Sequence, residues 1–156
     1  MRKARVAALT LVAASLCAQD RPYNGHGYAY FTGGFCQHNY VLVGGGGGGE
    51  AFLWRGLAVG GEVGFHQFLS SLNFGLASAT VGYHFVNRKR PGRFDPFVNF
   101  SPAGLYFGPG TGGAGGIGGG LNYWFKPRMG LRTEVRFQVL AAEEALAVFR
   151  IGLSFR

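Results

Sequence analysis

Eight segments of alternating apolar and polar residues, a basic-then-apolar leader ahead of them, and aromatic residues gathered at segment ends predict an all-β fold. The expected architecture is an eight-stranded antiparallel up-and-down transmembrane β-barrel after an N-terminal signal peptide. Arg2, Lys3 and Arg5 make a positive start, and Val6 to Leu16 make an apolar stretch too short to span a bilayer as a helix. Leu16-Cys17-Ala18 offers a small residue for cleavage, so residues 1–18 are read as the signal peptide and residues 19–156 as one barrel domain.

The eight strands are expected at Gly25 to Gly34, Tyr40 to Trp54, Gly56 to Phe68, Leu72 to Val86, Phe94 to Phe107, Ala114 to Phe125, Gly130 to Leu140 and Leu146 to Phe155. Most reach the roughly 9 to 11 residues that a tilted strand needs to cross a bilayer. Side chains on a strand point alternately to opposite faces, so parity assigns each residue a side. In the third segment Leu57, Val59, Val63 and Phe65 oppose Glu62 and His66. In the fourth, Ala79, Val81, Tyr83 and Phe85 oppose Ser78, Thr80, Gly82 and His84. In the sixth, Ile117, Leu121, Tyr123 and Phe125 oppose Gly118, Gly120, Asn122 and Trp124. In the seventh, Leu131, Val135, Phe137 and Val139 oppose Arg132, Glu134, Arg136 and Gln138. In the eighth, Ala147, Phe149, Ile151, Leu153 and Phe155 oppose Arg150, Gly152, Ser154 and Arg156. The charged parity cannot face hydrocarbon, which predicts a polar inside and an apolar outside, the inverse of a soluble barrel.

Phe52, Trp54, Tyr83, Phe85, Phe94, Phe97, Tyr123 to Phe125 and Phe155 lie beside alternate connections and are expected to form one interfacial aromatic girdle. Phe31, Phe65, Phe68, Tyr106 and Phe107 are expected to form the other. The same alternate connections carry Arg55, Arg88, Lys89, Arg90, Arg93, Lys126 and Arg128, which predicts a basic periplasmic rim able to touch anionic lipid headgroups. Without the leader the chain keeps 12 basic and seven acidic residues, so the formal net charge of +8 falls to +5. Aromatic interleaving for nucleic acid is absent from the basic stretches. Cys36 is the single cysteine after the leader, so no internal disulfide is expected.

Two glycine runs, Gly44 to Gly49 and Gly115 to Gly120 interrupted by Ile117, lack both the Lys-Ser or Lys-Thr of a nucleotide loop and the helix that follows a dinucleotide loop. They are read as room for large inward side chains of neighbouring strands. The inward ionisable set is Glu50, Glu62, His66, His84, Arg132, Glu134, Arg136 and Arg150. An eight-stranded interior is just wide enough for side chains to fill it, so these groups are expected to form a structural charge network. Glu134 in particular is expected to pair with Arg132, Arg136 or Arg150. No catalytic, cofactor-binding or metal residue is expected: Glu62 and His66 share a face without a third ligand specified by spacing.

The segment from Gly118 to Arg136, Gly-Gly-Gly-Leu-Asn-Tyr-Trp-Phe-Lys-Pro-Arg-Met-Gly-Leu-Arg-Thr-Glu-Val-Arg, together with the aromatic-rich final strand, resembles the small bacterial outer-membrane β-barrel domains of the outer membrane protein A and X type. The likeness covers essentially all of the chain after the leader, through patterns of residue class. It implies a monomer in the bacterial outer membrane, in contact with outer-membrane lipids and delivered by periplasmic chaperones and the assembly machinery. The chain ends on Arg156 instead of the usual terminal aromatic, and no peptidoglycan-binding domain follows, so cell-wall anchoring is not expected. The His-x-Ser pattern of lipid A deacylating barrels and the Asp-Ser pair of palmitoyl-transferring barrels are both missing. The expected function is therefore non-enzymatic, in membrane integrity or surface presentation. Two other readings remain open: an adhesin or binding module acting through extracellular loops, and a secreted soluble ligand-binding barrel. Short loops weigh against the first, and the charged inward parity weighs against the second, whose cavity should be mostly apolar.

Overall fold

Alternation of period two needs a partner strand on each side, and here every segment finds both. A computed structural model describes residues 24–36, 40–69, 73–85, 92–108, 110–140 and 145–156. They form β1 (Gly25–Cys36), β2 (Val41–Trp54), β3 (Leu57–Phe68), β4 (Asn73–His84), β5 (Phe94–Phe107), β6 (Gly110–Lys126), β7 (Met129–Leu140) and β8 (Ala145–Phe155). Each strand pairs antiparallel with its sequence neighbours, and β1 closes on β8 from Gly27 opposite Phe155 to Cys36 opposite Leu146. Closure pairs the edge strands, so neither is left open. The expected leader, residues 1–18, and Arg88, Lys89 and Arg90 lie outside the described residues.

Both described chain ends lie at one rim, the turn end, which also carries the connections β2–β3, β4–β5 and β6–β7. Arg55 takes a positive φ of 48° in the β2–β3 turn, where the register shifts between Phe52 and Trp54. Gly56 follows because a Cβ there would run into the His84 carbonyl oxygen. The His84 amide in turn donates to the Gly56 carbonyl at 2.8 Å, tying this turn to the end of β4. The opposite rim, the loop end, has short connections: the strand bounds leave residues 37–40, 69–72, 108–109 and 141–144.

The expected strands match in number and order, with one substantial difference. β6 starts at Gly110, four residues before the expected Ala114, and Phe107 opposite Gly110 begins its ladder with β5. A ladder uses backbone groups alone, so a glycine-rich stretch between two long strands is held by its neighbours despite weak strand propensity.

Parity separates the faces as charge requires. Val63, Phe65, Val81, Phe100, Ile117, Val135, Phe137, Phe149 and Ile151 are exposed outside, while Glu62, His84, Arg132, Glu134, Arg136 and Arg150 are buried inside. Two parts of the expected girdles are corrected. Phe52, Phe97 and Trp124 are buried inside the barrel at the turn end; Phe68 is buried and Phe107 half-buried against the inner apolar cluster at the loop end. The reason is parity: Phe52 is two residues from Glu50, Phe97 two from Asp95, Trp124 two from Asn122 and Phe68 two from His66, so each shares the inner face.

Inward glycines sit where large inner side chains cross. A Cβ on Gly48 would meet the Gly61 carbonyl oxygen at 2.5 Å, Glu62 Cβ at 2.8 Å and the Tyr28 hydroxyl at 2.9 Å. One on Gly118 would meet Asn99 Oδ1 at 2.9 Å and Glu134 Oε1 at 3.1 Å. Gly115, on the outer face, would meet nothing within 4 Å. Gly48→Ala should therefore lower stability by about 1 to 3 kcal/mol through overpacking, whereas Gly115→Ala should not lower it. Urea midpoints of the two variants in lipid vesicles check this ranking, and equal midpoints would contradict the packing account.

Candidate functional site

The barrel interior has three tiers, set by the level at which inward residues of successive strands meet. At the turn end it is aromatic: Phe52, Phe97 and Trp124 are buried around His84, whose ring stacks on Phe97 at 5.3 Å. In the middle it is ionic. At the loop end Leu42, Phe68, Phe74, Leu76, Leu105, Leu146 and Val148 close an apolar cluster. The interior expected to be polar is thus apolar at its loop end, because the inward parity itself turns apolar near the loops.

The middle tier can be followed bond by bond. Glu62 on β3 accepts from Arg136 Nη1 at 2.6 Å, from Arg150 Nη1 at 2.9 Å and from the Tyr28 hydroxyl at 3.2 Å. Glu134 on β7 accepts from Arg136 Nε at 2.7 Å, Arg132 Nη2 at 3.4 Å and Asn99 Nδ2 at 3.0 Å. Of its three expected partners it meets Arg136 and Arg132; Arg150, although cross-strand from Glu134, reaches to Glu62 instead. Glu50 on β2 accepts from Arg132 Nη2 at 3.1 Å and lies 2.9 Å from His84 Nε2. The other His84 nitrogen lies 2.7 Å from Asp95, which also accepts from Asn122 at 3.2 Å. A carboxylate only accepts, so holding both His84 bonds requires an N–H on each ring nitrogen, the imidazolium form. With it, the lumen carboxylates Asp95, Glu50, Glu62 and Glu134 face four cations.

Seven of the eight residues singled out in the sequence are joined in this one network. His66 is inside but apart: it stacks on Phe74 at 5.4 Å, and its Nδ1 has no hydrogen-bond partner among the described residues. Sequence reasoning missed Asp95, His26, Tyr28 and Asn99. Arg132 lies 3.2 Å from His26 Nε2 and over the rings of Tyr28 and Phe97, at 4.3 and 4.0 Å. Parity on β1 and β5 was the signal that could have placed all four inside.

Chemically, this arrangement stores charge more readily than it reacts. Three carboxylates are occupied by guanidinium groups, and the buried hydroxyls of Ser101 and Ser154 donate to Gly116 O and Asn122 Oδ1, not to a histidine. A buried ion network is costly to assemble and costlier to break. The apolar cluster above it and the aromatic tier below leave no wide polar path among the described residues. Planar-bilayer recordings of pure protein should accordingly show no large, stable pore, and reproducible large conductance would contradict the sealed interior.

Several solved structures share this closed barrel. Neisserial surface protein A aligns with a TM-score of 0.64 at 10% identity, over 86% of this chain and 97% of that one. The N-terminal β-barrel domain of Pseudomonas aeruginosa OprF aligns at 0.58 and 21%, over 83% and 97%. This chain has the fold of a small outer-membrane β-barrel. A de novo designed transmembrane β-barrel aligns at 0.53 and 22%, over 88% and 98%. A design matching at an identity similar to the OprF domain's indicates that the shared residues reflect the demands of the fold. No family model matches the chain, and no curated protein matches it significantly.

Proposed function

We propose that this chain is a non-enzymatic outer-membrane barrel that contributes to the integrity of the membrane. The observation that carries the reading is the combination of an apolar outer wall with a lumen closed by its own side chains. Such a body fills a place in a bilayer, presents apolar surface to acyl chains and admits no solute. Short loop-end connections favour this role over capture of a partner by long loops. The lumen acids are held by Arg132, Arg136, Arg150 and His84 and face no bilayer lipid, which favours a structural role for them. The test is a strain lacking the chain, assayed for entry of a bulky hydrophilic antibiotic and for sensitivity to bile salts. Increased entry, reversed by the wild-type chain, supports the reading; unchanged entry and sensitivity contradict it. Loss of a lipid-modifying activity in that strain would favour an enzyme instead.

A further inference from the structure

The outer wall is not smooth. On β6 the outward residue between Ile117 and Leu121 is Gly119, and its cross-strand neighbours are Val98 on β5 and Val135 on β7. The missing side chain lies in a shallow, open apolar groove on the outer wall, lined by Tyr83, Val98, Ile117, Val135 and Phe137. Four residues toward the turn end, Phe94 and Tyr123 face each other with ring centroids 5.1 Å apart. Four residues of tilted strand correspond to about 10 Å of depth in a bilayer.

Charge is distributed along the same strands with one sign at one end. Arg93 immediately precedes β5, Lys126 ends β6 and Arg128 lies in the β6–β7 turn, all exposed at the turn end. The chain from 57 to 87, from 94 to 125 and from 137 to 149 contains no Lys or Arg, so the loop-end connections of these strands carry no cation. The groove therefore lies about 10 Å below a cationic rim and under an aromatic pair, with no competing cation at the far side. That order of cation, aromatic ring and apolar trough matches the order of phosphate, glycerol ester and acyl chain in a membrane lipid.

We propose that the outer wall of β4–β7 binds one anionic glycerophospholipid, with an acyl chain over Gly119 and the phosphate held at the rim by Arg93, Lys126 and Arg128. The proposal rests on the reading of the chain as a membrane barrel. The lipid belongs to the leaflet at the turn end. Its anionic headgroup separates it from a zwitterionic lipid that would satisfy the groove alone.

The test uses the full chain in detergent micelles with equal amounts of dioleoyl phosphatidylglycerol and dioleoyl phosphatidylcholine, counting retained lipids by native mass spectrometry. Wild type should retain one phosphatidylglycerol in preference to phosphatidylcholine. Gly119→Leu is tolerated sterically, since a Cβ there meets Phe97 O at 3.4 Å and Val98 Cγ1 at 3.7 Å, and it should abolish retention by filling the groove. Gly115→Leu, on the same face of the same strand but outside the groove, should retain lipid as wild type does. Each of Arg93→Gln, Lys126→Gln and Arg128→Gln should lower phosphatidylglycerol retention about fivefold without affecting phosphatidylcholine. Equal retention of the two lipids by wild type means unselective boundary lipid and overturns the proposal. So does undiminished phosphatidylglycerol on Gly119→Leu, or an equal loss in Gly115→Leu. Folding is followed in parallel by heat-modifiable gel migration: a folded wild type without the preference removes the lipid site alone, whereas a wild type that never folds in lipid removes the membrane reading as well.

Discussion

Glu62→Gln should be the most damaging single substitution in the lumen, lowering the stability of the barrel by about 3 to 5 kcal/mol. Glu62 is the shared acceptor of two guanidinium groups and one phenol: Arg136 at 2.6 Å, Arg150 at 2.9 Å and Tyr28 at 3.2 Å. An amide of the same size keeps the packing but withdraws the charge. Arg136 would still hold Glu134, whereas Arg150 has no second carboxylate among the described residues. The cost is that of a buried cation left without its counter-charge, which exceeds the net value of the intact pair. Glu134→Gln should cost less, because Arg132 keeps Glu50 and Arg136 keeps Glu62. Arg55→Gln, at an exposed turn, should cost about 1 kcal/mol or less. Urea unfolding in lipid vesicles should rank the midpoints in that order, lowest for Glu62→Gln. The orphaned charge can be removed as well: Glu62→Gln combined with Arg150→Met should recover much of the loss. Equal midpoints for Glu62→Gln, Glu134→Gln and Arg55→Gln would refute the network as a source of stability.

The legible part of this molecule was its alternation. Arg132, Glu134 and Arg136 at every second position fix the inner face of β7 without any structure, and the same parity sorts β3, β4, β6 and β8. Partners across the lumen were not legible. Glu62 and Arg136 are 74 residues apart, and they meet because barrel closure and strand stagger bring β3 opposite β7. Parity gives a face and says nothing of which residue lies opposite at the same depth. Cross-strand register is no guide either: Glu134 and Arg150 are register partners, yet Arg150 bonds across the lumen to Glu62.

The aromatic residues show a different failure. Grouping Phe52 with Trp54, and Phe97 with Phe94, by nearness to a turn placed them in one girdle, although their positions relative to Glu50 and Asp95 put Phe52 and Phe97 inside. Position along a strand sets depth, and parity sets side; both are needed. The same omission hid the apolar plug, since Leu42, Phe74, Leu105 and Leu146 continue the inner parity where the sequence ceases to be polar. The glycine runs fell between these cases. Their role in making room was readable in kind, but the particular side chains above Gly48 and Gly118 depend on the closed barrel.

The second large effect concerns the medium in which the chain folds. Its outer face exposes Phe31 at 77%, Val63 at 65%, Ile117 at 62% and Phe137 at 61%, while Glu62, Arg132, Glu134, Arg136 and Arg150 point inward. In water this surface would be a contiguous apolar belt far beyond what a soluble monomer carries, and it would drive aggregation. In a bilayer it is the surface that the hydrocarbon requires, with the ion network shielded inside. Refolding from urea should accordingly give folded barrel with phospholipid vesicles or detergent micelles and none in buffer alone. The decisive measurement is refolding of residues 19–156 in parallel with and without vesicles, followed by heat-modifiable gel migration, far-ultraviolet circular dichroism and sedimentation. The account predicts a β-rich, heat-modifiable species that floats with the vesicles, and a precipitate in their absence. A soluble, monomeric, cooperatively folding β-protein in buffer without lipid or detergent would contradict it.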